Sequence, residues 1–283
     1  MTDLFARQPV AEPWLRFYAP GVPRELSLPQ VTLADLLDDA ARRFRFRAAL
    51  SCQGRRTGFG ALRRAAVRLA AALDRLGVRR GDRVAVLLPD CPELVVMCHA
   101  VWRLGAVVVP GDPADPGRPV AGAVVAVVPQ ERGPEVARAG RYAALSAVVT
   151  VEVPRTGTAK RVTSAAAPET APRLGRPPES VRLVAYGALD RRRGDAVGRG
   201  RSGGPLPEDV AVVLPRHDGT SLTLRHRHLV AAAHQIRSWC PEAAERRVRV
   251  LSLVPLREPH GLALGVAASL TGARTVLVPG GDP

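Results

Sequence analysis

The residues best suited to chemistry stand in a short polar stretch after the apolar run 210–214. It holds Gly219, Thr220 and Ser221, whose amides and hydroxyls could contact a phosphate, and Arg216 is a candidate cation. A phosphate cradle uses repeated backbone turns with positive φ, and a single glycine cannot supply them. The stretch therefore predicts a polar hairpin, and a remnant phosphate loop at these three residues is the alternative.

A second polar group, residues 257–261, precedes an apolar helical pattern. Within it His260 and Gly261 are candidates for lining a substrate pocket, and the simpler interpretation is that His260 begins a helix. No Gly-x-Ser-x-Gly elbow occurs in the sequence, and Ser221 and Ser252 have no recognisable base and orienting acid. The sequence predicts no catalytic residue.

The histidines and cysteines do not show the spacing of a metal site. They include His217, His226, His228 and His234, and Cys52, Cys91, Cys98 and Cys240. No acidic or cysteine partner stands at a ligand-like interval among these histidines, and the cysteines form no Cys-x-x-Cys pair. We predict no metal site and no disulfide, with the cysteines reduced in the core.

The apolar patterns predict alternating helices and strands. Helices are predicted at 33–44, capped by Thr32, and at 59–76, 92–104, 229–239 and 261–270; strands at 83–88, 106–109, 210–214, 248–253 and 274–278. Asp90 is the predicted cap of the helix 92–104. This layout predicts an α/β fold with largely parallel β-sheets flanked by helices. After Pro113 the sequence offers no helix for a crossover to the run 123–128, so no parallel connection is expected there.

Composition divides the chain into three predicted regions. Residues 1–128 form an N-terminal α/β portion, and residues 207–283 a second, truncated one. Between them residues 129–206 are rich in Arg, Pro and Gly and predict an irregular insert, in which 145–153 and 181–189 are the expected elements.

Charge and hydropathy indicate which classes of partner and which location to expect. The net charge is +15, but Lys160 is the single lysine and the arginines are spread along the chain, which is typical of a compositional bias. A nucleic-acid partner is therefore not expected. No apolar run is long enough to span a membrane and the start does not resemble a signal peptide, so a cytoplasmic location is the expectation.

Several motifs in order resemble one family. Residues 13–23 (PWLRFYAPGVP), 81–90 (GDRVAVLLPD) and 104–113 (LGAVVVPGDP) resemble the start of AMP-forming acyl-CoA synthetases, in the adenylate-forming superfamily. The first motif is most similar to long-chain fatty acid-CoA ligases. Residues 207–212, 226–230 and 254–262 resemble segments on either side of that family's phosphate loop. The resemblance covers the N-terminal half and implies an incomplete N-terminal domain of such a ligase.

The resemblance implies ATP, magnesium and coenzyme A as cofactors and a fatty acid as substrate. It also exposes departures from the family pattern. The interval that would be the glycine-rich phosphate loop is shortened and has no lysine, and Arg257 and Glu258 occupy the positions of the family's aromatic residue and histidine. The family's later nucleotide-binding motifs would follow residue 283. No cofactor is therefore assigned from the residues themselves.

Three hypotheses follow. The first is a truncated, degenerate AMP-dependent ligase homologue that cannot carry out ATP-dependent acid activation alone. The second is a non-catalytic module that binds an acyl group, a nucleotide or a protein, with a partner or a second copy covering an incomplete sheet. The third is one half of a split ATP-dependent ligase.

Overall fold

The computed structural model describes residues 12–115, 117–139, 144–153, 181–191, 204–216, 218–240 and 248–278. The helices are α1 (Leu33–Arg43), α2 (Phe59–Arg75), α3 (Pro92–Arg103), α4 (Gly117–Val120), α5 (Gly133–Ala139), α6 (Tyr186–Arg191), α7 (His226–Trp239) and α8 (Pro259–Thr271), with short 3₁₀ helices at Pro13–Phe17 and Gln130–Arg132. The strands are β1 (Ala48–Cys52), β2 (Arg55–Gly58), β3 (Arg83–Val86), β4 (Val107–Pro110), β5 (Val125–Pro129), β6 (Ala147–Val151), β7 (Arg182–Ala185), β8 (Val210–Pro215), β9 (Ser221–Arg225), β10 (Arg249–Leu251) and β11 (Arg274–Leu277).

These strands form two sheets. The larger has seven strands in the order β7-β6-β5-β3-β4-β8-β9, all parallel except β9, which runs antiparallel to β8. The smaller has the order β10-β11-β1-β2, with β2 antiparallel to β1. The predicted fold class, an α/β fold with largely parallel sheets, is confirmed.

The connection from β4 to β5 corrects the sequence expectation. Strand β5 lies parallel to β3, on the side of β3 away from β4. The expected obstacle was the absence of a crossover helix, but the single turn of α4 is enough, because the chain has to pass only the one strand β3. A hydrogen bond from the Gly111 amide to the Val86 carbonyl, at 3.2 Å, holds the start of this connection against β3.

The main core lies between the two sheets. Helix α3 contacts β1 of the smaller sheet as well as β3 and β4 of the larger one, and α1 and α2 pack against it. Helices α7 and α8 pack against each other and against α1. Alternate residues of β3 face opposite sides: Val84 and Val86 belong to this core, whereas Ala85 belongs to a second apolar cluster with Val120 of α4 and Val136 of α5. Helices therefore cover both faces of the larger sheet, as a parallel sheet requires.

The middle region contains more structure than its composition predicted. The two expected elements are present as β6 and as β7 with α6, and helix α5 was not anticipated. The Gly133 backbone approaches the Thr150 methyl group so closely that a Cβ would lie 2.5 Å from it. The three-part division of the chain itself remains a prediction.

Two side-chain predictions need correction. Asp90 does not cap α3, because Cys91 holds the N-cap position. The Asp90 carboxylate instead accepts the Leu256 amide. Cys52, Cys91 and Cys98 are free and buried as predicted, but Cys240 is exposed. Thr32 does cap α1, in a reciprocal capping box with Asp35. Among the described residues, no helix is long and apolar enough to cross a membrane.

Candidate functional site

Asp90, Asp112 and the turn at residues 218–221 all follow strands that end at one edge of the seven-stranded sheet. Strands β3, β4 and β8 are parallel, so their carboxyl ends meet there. Asp90 follows β3, Asp112 follows β4, and the turn from β8 to β9 carries residues 218–221. Ligands of open α/β sheets bind outside the carboxyl ends of the strands, so this edge is the candidate site.

The turn between β8 and β9 is a closed hairpin. The Arg216 amide donates to the Thr220 carbonyl at 2.9 Å, and the Gly219 amide donates to the Arg216 carbonyl at 3.1 Å. Gly219 has φ +86°, a conformation that side-chain-bearing residues rarely adopt. Ser221 pairs with Pro215 as the first residue of β9. This is the polar hairpin that the sequence predicted; His217 lies outside the described residues.

Asp218 occupies the hydrogen-bonding groups that a phosphate would use in this hairpin. Its carboxylate accepts the Thr220 amide at 2.8 Å and the Thr220 hydroxyl at 2.6 Å. These bonds from Thr220 hold the pKa of the exposed Asp218 carboxyl below its ordinary value, so it is anionic at neutral pH. A carboxylate therefore stands where the remnant-loop hypothesis places a phosphate. An aspartate two residues before a hydroxyl residue is a local turn signal, and it could have been recognised in the sequence.

The segment before α8 is fastened to the same edge by two aspartates. Both carboxylate oxygens of Asp90 accept the Leu256 amide, at 3.0 and 3.2 Å. Burial raises the pKa of the Asp90 carboxyl, although the Leu256 amide opposes the rise. Arg257 lies 3.8 Å from Asp112 in an ion pair. Arg257 thus faces an acid at the sheet edge.

His260 and Gly261 occupy the first turn of α8. His260 is exposed, and Gly261 is buried against the backbone of Pro255. A Cβ on Gly261 would lie 2.2 Å from the Pro255 carbonyl oxygen, so this position accepts only glycine without a backbone shift. The placement gives Gly261 a packing reason of its own. Its pocket-lining role, and that of His260, stays a prediction.

An apolar cavity of about 50 Å³ lies between α2, α3 and α8 and the smaller sheet. Its walls include Leu62, Leu94 and Leu262, and the polar residues His99, Ser269 and Thr275, but not His260 or Gly261. Burial lowers the pKa of His99 to about 3, so its ring is neutral. The volume admits a few water-sized groups and is far below the several hundred Å³ of a typical ligand site.

His226 and His228 form hydrogen bonds to the backbone. His226 is fully buried, and its Nδ1 accepts the Leu33 amide at 3.3 Å, which joins α7 to the start of α1. His228 Nδ1 accepts the Arg225 amide at 3.2 Å. In the described parts of the chain, no three His, Cys, Asp or Glu residues are grouped so that they could hold a metal ion.

Parts of the sequence are similar to known proteins. The family of AMP-binding enzymes matches residues 37–190. A long-chain-fatty-acid-CoA ligase of Bacillus subtilis is 41% identical over 102 residues, which are 36% of this chain and 18% of the ligase. A 2,3-dihydroxybenzoate-AMP ligase of the same organism is 39% identical over 75 residues, 26% of this chain and 14% of that protein. The matched part is thus less than a fifth of these relatives' own length.

Solved structures agree with the fold. A long-chain-fatty-acid-CoA ligase (FadD1) from Archaeoglobus fulgidus superposes with a TM-score of 0.69 at 19% identity, over 94% of this chain and 50% of that one. The N-terminal subdomain of NpsA from Klebsiella oxytoca, solved with 3-hydroxybenzoyl-AMSN, superposes with a TM-score of 0.58 at 21% identity. The match covers 89% of this chain and 55% of that one. The chain spans about half of each. Because the family match covers more than half of the 283 residues, the chain belongs to the family of AMP-binding enzymes.

Proposed function

We propose that this chain is a degenerate member of the AMP-binding family that does not activate a carboxylic acid with ATP on its own. The observation that carries the proposal is the occupied hairpin between β8 and β9. There the Asp218 carboxylate takes both donors of Thr220, and Gly219 is the one glycine of the turn.

The hairpin does not fit the triphosphate that the family resemblance implies. A phosphate at Thr220 would have to displace Asp218 and would meet its negative charge at close range. The sequence of the hairpin, residues 214–224, contains no lysine to offset that charge. ATP, magnesium and coenzyme A therefore remain attributes of the family, and no catalytic step is assigned to these residues.

The direct test measures ATP and magnesium binding by calorimetry, with pyrophosphate release in the presence of a long-chain fatty acid. We expect neither binding nor release for the wild-type chain. Asp218→Asn removes the charge while keeping a carbonyl oxygen for Thr220, and Asp115→Asn neutralises an exposed aspartate in the β4–α4 loop as a matched control. Millimolar or tighter ATP binding by the wild type would overturn the proposal and favour a split ligase.

We also propose the cytoplasmic location that the sequence predicts. A second feature of the proposal concerns the substrate: we propose a long-chain fatty acid as the acid that a protein of this type would handle. The support is the match to the Bacillus subtilis ligase, together with the motif at residues 13–23. Co-purification of a fatty acid, identified by mass spectrometry after denaturation, would test the second point.

A non-catalytic role would use the free edge of the smaller sheet for self-association. The Val248 carbonyl accepts the Arg274 amide of β11, so the backbone groups of Arg249 and Leu251 point away from the sheet. Leu251 is 55% exposed and Leu253 82%. Among the described residues no strand pairs with this edge of β10, and an edge of this kind beside exposed leucines supports pairing with a second copy.

Light scattering after size exclusion tests this second role across a range of protein concentrations. We expect a dimer that Leu253→Asp converts to a monomer. Leu206→Asp changes another exposed leucine, before β8, and should leave the dimer intact. A wild-type chain that stays monomeric at the highest concentration would contradict self-association.

A further inference from the structure

The loop between α1 and β1 presents an apolar tip on a basic surface. Residues 44–47 form a tight turn in which the Arg47 amide donates to the Phe44 carbonyl at 2.8 Å. Phe46 occupies the third position of the turn, and 93% of its surface is exposed. A single exposed apolar side chain needs no explanation by itself, so any function of the tip depends on how the turn is anchored and on the arginines around it.

The turn is anchored, so that the exposure of Phe46 is built into the fold. The Phe44 ring packs 5.9 Å from the Phe59 ring, and it lies so close to Gly272 that a Cβ there would be 2.7 Å from it. The Phe59 amide donates to the Arg47 carbonyl at 3.1 Å. With one side of the turn packed on α2 and the end of α8, Phe46 is directed outward.

Arginines surround the tip. The Arg45 guanidinium lies 5.4 Å from the centre of the Phe46 ring, and those of Arg43 and Arg47 flank the Phe44 ring at 4.9 and 5.0 Å. A shallow cleft beside the turn is lined by Asp38, Ala41, Arg42, Arg45, Gly60, Arg63 and Arg64. Residues 38–68 contain nine arginines and two aspartates, so this segment carries seven of the chain's fifteen net positive charges.

The acids of this surface are already paired. Asp38 bonds Arg63 at 2.9 Å and also pairs with Arg103, while Asp39 lies within 3.4 Å of Arg42 and Arg43. Arg45 and Arg64 are exposed and have no acidic partner among the described residues. The surface therefore offers positive charge to an anionic partner.

We propose that the turn at residues 44–47 and its surrounding arginines dock on an anionic lipid surface. The arginines would meet the phosphate headgroups, and Phe46 would enter the boundary between headgroups and acyl chains. One protruding ring on a charged surface fits this geometry. A single-stranded nucleic acid would instead call for a series of aromatic platforms along a basic groove, and Phe46 is the one exposed aromatic residue within 38–68.

The experiment uses co-sedimentation of the full chain with vesicles of equal phosphatidylglycerol and phosphatidylcholine, and with vesicles of phosphatidylcholine alone. We expect binding to the first and not to the second, weakened by raised salt. Phe46→Ala should reduce the affinity roughly tenfold, since the ring would lose its apolar burial. Arg45→Gln with Arg64→Gln should reduce it by a similar factor.

Matched controls separate the tip from general basicity. Phe17 is 71% exposed and lies under the Arg16 guanidinium at 4.7 Å, so Phe17→Ala removes an equivalent group elsewhere. Arg182→Gln removes an exposed arginine from β7 of the other sheet. Both should bind like the wild type, and the unfolding temperature of each variant confirms that it is folded.

Insertion has its own readout. Phe46→Trp should show quenching by lipids brominated on the acyl chain, in excess of the quenching of the wild-type tryptophans, whereas Phe17→Trp should not. Equal binding to both vesicle types, or identical affinities for Phe46→Ala and Phe17→Ala, would overturn the proposal. So would binding to a single-stranded oligonucleotide that depends on Phe46, because it would assign the surface to nucleic acid.

Discussion

The unit β3–α3–β4 and the hairpin between β8 and β9 belong to the same sheet but are held in different ways. In the first, Val84, Met97 and Val101 are completely buried, and each is fixed by the side chains around it. In the second, residues 218–221 are all exposed, and the turn is held by hydrogen bonds and one positive φ.

This contrast separates the constraints of packing from those of chemistry. A close-packed core is destabilised by changes in side-chain volume, whatever the function of the chain. An exposed loop keeps particular residues only where a ligand requires them. Of the segments that resemble the family, residues 81–90 and 104–113 lie in the packed unit, whereas the hairpin lies in the interval that departs from the family pattern. The following predictions test whether the two regions differ in this way.

The largest effect is expected from Trp102→Ala, within the packed unit. Trp102 is 2% exposed, and its Nε1 donates to the Ala211 carbonyl at 3.0 Å, which joins α3 to β8. Removing it should lower the free energy of unfolding by about 4 kcal/mol, from the cavity and the unpaired carbonyl. Urea unfolding measures the change. Trp14→Ala, at a 52% exposed site, should cost less than about 1 kcal/mol, and equal losses would contradict the contrast.

A pH dependence should come from buried His226. Burial lowers its pKa from 6.5 to about 4. Between these values the unfolded chain binds more protons, so the free energy of unfolding falls as the pH falls from 6.5 to 4, by about 3 kcal/mol in all. His226→Asn keeps an acceptor for the Leu33 amide and should remove this part of the dependence.

The measurement for His226 is urea unfolding at half-unit steps of pH, for wild type and variant. His99 should still contribute in the variant, since its pKa is lowered to about 3. The exposed His260→Asn is the control and should leave the wild-type curve unchanged. Equal slopes for wild type and His226→Asn between pH 6.5 and 4 would show that His226 is not buried in the neutral form.

Two glycines of α8 offer a smaller and cleaner test. Gly261→Ala places a Cβ 2.2 Å from the Pro255 carbonyl oxygen and should cost about 2 kcal/mol. At Gly265 the nearest atom would be a Leu256 methyl at 3.6 Å, so Gly265→Ala should stabilise the helix by up to about 1 kcal/mol. Thermal unfolding of both variants measures the two changes in stability. Effects of the same sign would contradict the close backbone approach at Gly261.

The sequence predicted the elements that depend on neighbouring residues, and it did not predict contacts between residues far apart along the chain. Local patterns predicted β3, α3 and β4, because an apolar strand, a proline at the start of a helix and a terminating glycine all act within a few residues. They could not predict that β1 pairs with β11, whose residues 274–277 follow more than two hundred positions later. β1 and β2 were missed, because residues 48–58 mix apolar and charged positions without a clear period.

The site shows the same limit. The hairpin at Gly219 was predicted, since turn residues are local signals. The bond from the Leu256 amide to Asp90 joins residues 166 positions apart, and no pattern near Asp90 distinguishes that role from the helix cap it was expected to provide. Nor could the sequence give a reason for Gly261, because the Pro255 carbonyl excludes a side chain only once α8 is in place.

The smallest effect is expected at the hairpin itself, from Gly219→Ala. Apart from its two chain neighbours, no atom of the described residues lies within 4 Å of the position of the added Cβ. The strain of φ +86° is therefore the expected cost, about 1 kcal/mol. Gly219→Asn should cost less, because asparagine tolerates positive φ better than alanine does. Urea unfolding again measures both. If Gly219→Ala cost as much as Gly261→Ala, the hairpin would be part of the packed structure, and the contrast with the unit β3–α3–β4 would fail.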